Sequence, residues 1–290
     1  MKRVNYYLRI LMLFFIITAI ASCKKEKQDE LLGNEISSAS EKLIVPTSAN
    51  RQDDGEDDED EDDYKTFYGP VVQMGNGHIR SWINISRNNN KPLAIGIELT
   101  AASLYNLPTD PLNFAANTFV LKLHQKAKDV TPYNHITVNW EPNGHEPPGI
   151  YSVPHFDMHF YKISLAAQMA ITGIPTALPP AGYLPASYVI QGATVPQMGT
   201  HWLDPSSPEL PPTLAPFTHT FIYGSNNGNI HFNEPMITRA FILGGTEVNK
   251  AFPQPIHFSP INTNYPTVYK IWKSSENGRH YVALSNFVWR

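Results

Sequence analysis

The sequence predicts an all-β protein: an antiparallel β-barrel or sandwich with one or two short helices and a long proline-rich excursion. Three observations carry this. Short runs of alternating or β-branched residues recur from residue 80 to the C-terminus. Asn-Gly pairs at 76–77, 227–228 and 277–278 mark tight turns between strands. The segments with helical character are few and short.

In chain order the strand-like runs are RSWINIS (80–86), LAIGIEL (93–99), TFVLKLH (118–124), HITVNW (135–140), PHFDMHFY (154–161), FTHTFIYG (217–224), ITRAFIL (237–243), TVYKIW (267–272) and HYVALSNFVW (280–289). Helices are expected at TAASLYNL (100–107) and SLAAQMAI (164–171). Residues 174–216 are rich in proline, which removes backbone donors, so they should continue neither a central strand nor a helix.

Three regions precede or make up this domain. Residues 1–22 have a basic start, an apolar run and small residues, the parts of a secretion signal. The apolar run is shorter than the roughly 20 residues a spanning helix needs. It ends in Ile20-Ala21-Ser22-Cys23, which resembles a bacterial lipobox and implies lipidation at Cys23. Residues 23–63 form the expected anchored linker, and residues 64–290 a single β-rich domain. The charged stretch after Cys23 is similar to export signals of Bacteroidetes surface lipoproteins. The expected location is therefore an outer-membrane lipoprotein on the cell surface or the periplasmic side, with the membrane as partner through the anchor.

Charge is divided unevenly. Residues 51–63 hold ten acidic residues against Arg51, a self-repelling block suited to a solvated stalk. Residues 64–290 carry 14 Lys or Arg and 11 Asp or Glu. No basic stripe exists to neutralise phosphates, which argues against nucleic acid as a partner. Cys23 is the sole cysteine, so a metal in the domain must be held by His, carboxylate or carbonyl groups.

The histidines and acids gather in four segments: WEPNGHEPPGIY (140–151), PHFDMHFY (154–161), PQMGTHW (196–202) and HFNEPMI (231–237). On a strand, His155, Asp157 and His159 share one face, and Phe156, Met158 and Phe160 the other. Residues four apart on a strand are about 13 Å apart, so one ion does not readily take both His155 and His159. Candidate metal ligands are His145, His155, Asp157, His159 and His201, three or four of which would act together. Glu146 is the candidate general base of a metal-assisted hydrolysis or oxidation, and Glu234 a partner behind the ligands. The implied cofactor is a divalent metal, zinc or another transition ion. His219 reads as a packed histidine.

A second reading makes the cluster a buried polar network in a non-enzymatic glycan-binding or structural envelope protein. Of the 33 aromatic residues, 29 fall in the domain, which would suit a small molecule or glycan. Nucleotide-binding and serine-hydrolase motifs are absent from the sequence.

Together, Ile95-Gly96-Ile97, Gly144-His145-Glu146-Pro147, the run Pro154 to Tyr161, Met198 to Trp202 and Glu234-Pro235-Met236 resemble the pattern of an uncharacterised family of secreted bacterial proteins and lipoproteins with a Thermus representative. Ile95 departs from that pattern, which has leucine there. The resemblance implies an all-β extracellular domain whose histidine-rich segments occur together, and it brings no reaction with it.

Overall fold

A computed structural model describes residues 63–290. The expected signal, Cys23 and nearly all of the acidic linker lie outside the described residues. In chain order the strands are β1 (Tyr64–Tyr68), β2 (Val72–Met74), β3 (Gly77–Ser86), β4 (Pro92–Leu99), β5 (Thr118–Lys122), β6 (His135–Glu141) and β7 (His155–Tyr161). They continue with β8 (Val189–Val195), β9 (Gly199–Leu203), β10 (His219–Asn226), β11 (Asn229–Thr238), β12 (Val248–Ala251), β13 (Asn264–Lys273) and β14 (His280–Trp289).

These strands form two antiparallel sheets of seven. The first runs β1-β3-β4-β14-β13-β12, with β2 also paired to β3; the second runs β5-β6-β7-β11-β10-β9-β8. Pairing of β4 with β14 ties the start of the domain to its end, and the whole second sheet is inserted between them in sequence. Both sheets contribute to one apolar core, including Ile83, Ile95 and Ile97 from the first and Val138, Phe156 and Met158 from the second. The fold is therefore a sandwich. Among the described residues no helix is long and apolar enough to cross a membrane.

Turn chemistry explains the β10–β11 hairpin. Asn226 pairs with Asn229, and between them Asn227 and Gly228 both have positive φ, 48° and 76°, as a two-residue turn matched to strand twist requires. A short helix α1 (Phe114–Asn117) precedes β5, and helices α2 (Gln125–Val130), α3 (Leu165–Met169) and α4 (Arg239–Gly244) connect later strands. The expected helix at 164–171 is α3, capped by the Ser164 side chain. The one at 100–107 is a single 3-10 turn, Ala101–Leu104.

Two expectations differ from the structure. The run 237–243 does not continue as a strand: β11 ends at Thr238, whose hydroxyl accepts the Phe241 N–H, and Gly245 closes α4 in the left-handed region. The proline-rich stretch 174–216 contains strands β8 and β9. β8 is the edge strand of the second sheet and β9 lies between it and β10; neither contains a proline, so the prolines stay in the segments that flank them.

On the outer face of the first sheet, Glu98 is buried and receives Arg80 (2.9 Å), Arg279 and the Tyr281 hydroxyl (3.3 Å). Arg80 and Tyr281 stand directly across from Glu98 on β3 and β14, so one carboxylate joins three strands. Glu98→Ala leaves two guanidinium groups without their anion and should lower unfolding free energy by about 3 kcal/mol, read from urea unfolding. Arg80→Ala, at a more exposed position, should cost less.

Candidate metal centres

β7 lies in the middle of the second sheet, between β6 and β11. Phe156, Met158 and Phe160 enter the shared core, so His155, Asp157 and His159 face the opposite, outer side of the sandwich. That side is not open to water: His155 and His159 are fully buried and Asp157 nearly so. A second apolar cluster of Tyr151, Leu203, Leu210, Phe217, Ile222 and Met236 covers this face, drawn partly from the segments after β6 and β9.

The register selects the neighbours. Met236 stands opposite Asp157 and Asn233 opposite Phe160, and continuing that register puts Glu234 opposite His159. On the other flank Glu141 of β6 stands opposite His155. His201 comes from β9, paired with Gly224 of β10. The Phe232 ring lies where a Gly224 side chain would be and packs edge-on against His159, with ring centroids 4.8 Å apart. His145 arrives on the loop after β6. Gly144 has φ +69° and lies so close to the Tyr151 carbonyl that a side chain would not fit, and the His145 N–H donates to that same carbonyl (3.2 Å).

The candidate ligands fall into two trios, His145, His155 and Asp157 in one and His159, His201 and Glu234 in the other. Within each, one ligand atom per residue lies within 4.8 Å of the others. In the first, His145 Nε2 is 3.4 Å from Asp157 Oδ2 and His155 Nε2 is 3.1 Å from Asp157 Oδ1. In the second, the Nε2 atoms of His159 and His201 lie 3.5 Å and 3.7 Å from the same Glu234 Oε2. Ligands about 2.1 Å from a tetrahedral ion are about 3.4 Å from one another, so both trios are near metal-binding spacing.

Proton positions sharpen this. His145 Nδ1 is 2.7 Å from the Glu146 carbonyl and His155 Nδ1 is 2.6 Å from the Val153 carbonyl. A carbonyl accepts, so both Nδ1 atoms carry hydrogen, and a neutral ring then aims its Nε2 lone pair at a carboxylate oxygen. Two acceptors face each other unless a proton or a cation lies between them. His155 Nε2 and Asp157 Oδ1 are buried without a hydrogen bond, as are both His159 ring nitrogens and Glu234 Oε2. Native interiors leave few such atoms unpaired, and a bound ion is one established reason.

The two trios differ in charge. Burial opposes ionisation of Asp157, yet His155 and His145 hold its carboxyl well below the usual range. Burial also works against a charged His145, but Asp157 outweighs it and raises that imidazole to about 10. In the second trio burial wins, lowering His159 to about 3 and His201 to about 4. Burial and then the Asp157 charge push the Glu234 carboxyl well above its ordinary value. Without a cation these shifts favour an ion pair in the first trio, and in the second they favour neutral imidazoles and disfavour the Glu234 carboxylate.

His155 and His159, read from spacing as unable to share an ion, fall in different trios. Glu234, expected behind the ligands, offers its oxygen directly to both rings. Glu146 is exposed and belongs to neither trio; its contact with the cluster runs through its main-chain oxygen. His219 is packed against the core, bonded to the Tyr269 hydroxyl (2.8 Å). Two groups were not singled out from the sequence. Burial and the Asp157 charge raise Glu141 to about 7, and Tyr151 is buried with its hydroxyl on the buried Glu209 carboxylate (3.2 Å). Strand parity placed Glu141 beside His155 once β6 and β7 were paired; Tyr151 gave no such signal.

Comparison of the chain with protein-family models, with curated proteins and with solved structures finds no match. The chemistry of this face therefore rests on its own geometry.

His145 gives a pH signature. Its raised value means the metal-free folded state holds a proton that the unfolded state releases near 6.5. Its contribution is full below pH 6.5 and is lost as pH rises toward 10. Melting temperature of chelator-treated protein should fall across that window, and His145→Gln should flatten the fall.

Proposed function

We propose that the protein binds divalent transition-metal ions at the two trios on the outer face of its second sheet, outside the cytoplasm and tethered through Cys23. The observation that carries the metal reading is the set of buried, unpartnered ligand atoms converging at metal-binding spacing. A self-sufficient polar network would be expected to pair those atoms with one another. The lipobox-like run before Cys23 and the mixed Lys and acidic stretch from Lys24 to Glu30 after it support the location.

Two imidazoles and a carboxylate suit zinc and the other borderline ions, and the domain offers no thiolate to favour softer ones. Three protein ligands leave a coordination position for water or a small molecule, as in zinc hydrolases and non-haem iron oxygenases. The ion would supply Lewis acidity there. This chain's own residues orient the imidazoles through the Glu146 and Val153 carbonyls, and the apolar cover around Tyr151, Leu210 and Phe217 restricts water.

Elemental analysis of the purified protein tests the reading. Two trios predict up to two equivalents of metal after reloading, with His155→Ala and His201→Ala each removing about one and a double variant holding none while still folded. A reloaded parent that holds no metal would overturn the proposal and leave the trios as a polar network.

A further inference from the structure

The opposite face of the same sheet carries a second kind of site. Counting outward from Phe156, Met158 and Phe160, the next residue of core-facing parity is Lys162, and its N–H continues the ladder to the His231 carbonyl (2.7 Å). A lysine at this parity sends its amine toward the space between the sheets. There it lines a narrow, open cleft walled by the rings of Tyr183, Tyr223, Phe252, Phe258 and Tyr265.

The charged groups of this cleft are of one sign. No carboxylate is among the residues that line it, and Lys162 is its one Lys or Arg. The Lys162 amine lies 5.1 Å from the Tyr265 ring centre and makes no hydrogen bond or ion pair there. Tyr223 and Tyr265 spend their hydroxyls on the carbonyls of Pro253 (2.8 Å) and Pro260 (2.6 Å), so these two rings serve as apolar walls. The carbonyl oxygen of Asn233 accepts from the Tyr133 hydroxyl (2.8 Å), which leaves its amide nitrogen as the end free to donate.

We propose that this cleft binds a small carboxylate with a flat apolar body, its anionic end on Lys162 and the Asn233 amide and its body against the aromatic walls. The half-buried amine has no carboxylate beside it in the cleft, so an anion would supply a counter-ion that the lining omits. Burial accordingly lowers the amine to about 7. Aromatic rings favour offset or edge-on contact with a flat partner. The sheet stands between this cleft and the metal trios, so the proposal does not depend on the metal reading.

Titration of the full-length protein with benzoate and with benzamide, its neutral counterpart of similar shape, tests this by calorimetry. Benzoate should bind, with benzamide at least about tenfold weaker, since a charge-assisted bond is worth about that much. Lys162→Met should cost benzoate at least about the same factor and leave metal content and benzamide binding unchanged. Tyr183→Ala, which removes a wall and no charge, should weaken both ligands alike. Equal affinity for the two ligands, full retention of benzoate by Lys162→Met, or no benzoate binding would overturn the proposal. The comparison of the two ligands on the unaltered protein decides it even if Lys162→Met does not fold.

Discussion

The structure depends on a strand that is buried on both faces and yet is apolar on only one. β7 gives Phe156, Met158 and Phe160 to the shared core and His155, Asp157 and His159 to the other side. A strand covered on both faces is ordinarily hydrophobic throughout, because burying an imidazole or carboxylate without partners costs several kcal/mol. Here that cost is met by convergence: the loop carrying His145, the edge strand carrying His201 and the β11 position of Glu234 all bring ionisable groups to the same strip. The segments that cover the strip and the groups that satisfy it are largely the same.

If the trios take metal as proposed, that arrangement makes protons and metal ions alternatives. In the first trio Asp157 is already ionised, and the proton to be displaced sits on His145. In the second, burial favours neutral imidazoles and works against ionisation of Glu234, so there the carboxyl is the group that would give up a proton. Each ion would therefore release a proton on entry, from an imidazole in one case and a carboxyl in the other. The trios also feel one another: the Asp157 charge helps keep the Glu234 proton in place, and an ion in the first trio would weaken that hold. Filling one site would ease deprotonation at the other while adding repulsion between the ions.

Much of this was legible in the sequence, because strand parity and turn residues are local. PHFDMHFY divides by alternation into a core set and a site set, and Asn227-Gly228 turns where an Asn-Gly pair should. The sorting of ligands was not legible. Whether His201 meets His159 or His155 depends on the order β7-β11-β10-β9, a property of long-range pairing that residue spacing does not encode. His145 reaches Asp157 through a loop whose path is set by Gly144 against Tyr151, a contact between main-chain atoms. The run 237–243 looked like strand because its apolar residues suit either structure, and the Thr238 hydroxyl at the boundary caps the helix that forms instead.

Parity carries one step further. Odd positions of β7 gather histidines and an acid, groups that together attract a cation; the even series ends in Lys162, a cation lacking an anion. One strand thus presents opposite electrostatic demands on its two sides, separated by the thickness of a sheet. Alternation permits this because neighbouring side chains along the strand never share an environment. Shifting the β7 register by one residue would exchange the two sets, burying His155, Asp157 and His159 in the apolar core and placing Phe156 and Phe160 among the imidazoles. The same mismatch that would dismantle both proposed sites would also unfold the sandwich, so the arrangement of side chains on the two faces and the stability of the fold are fixed by one register.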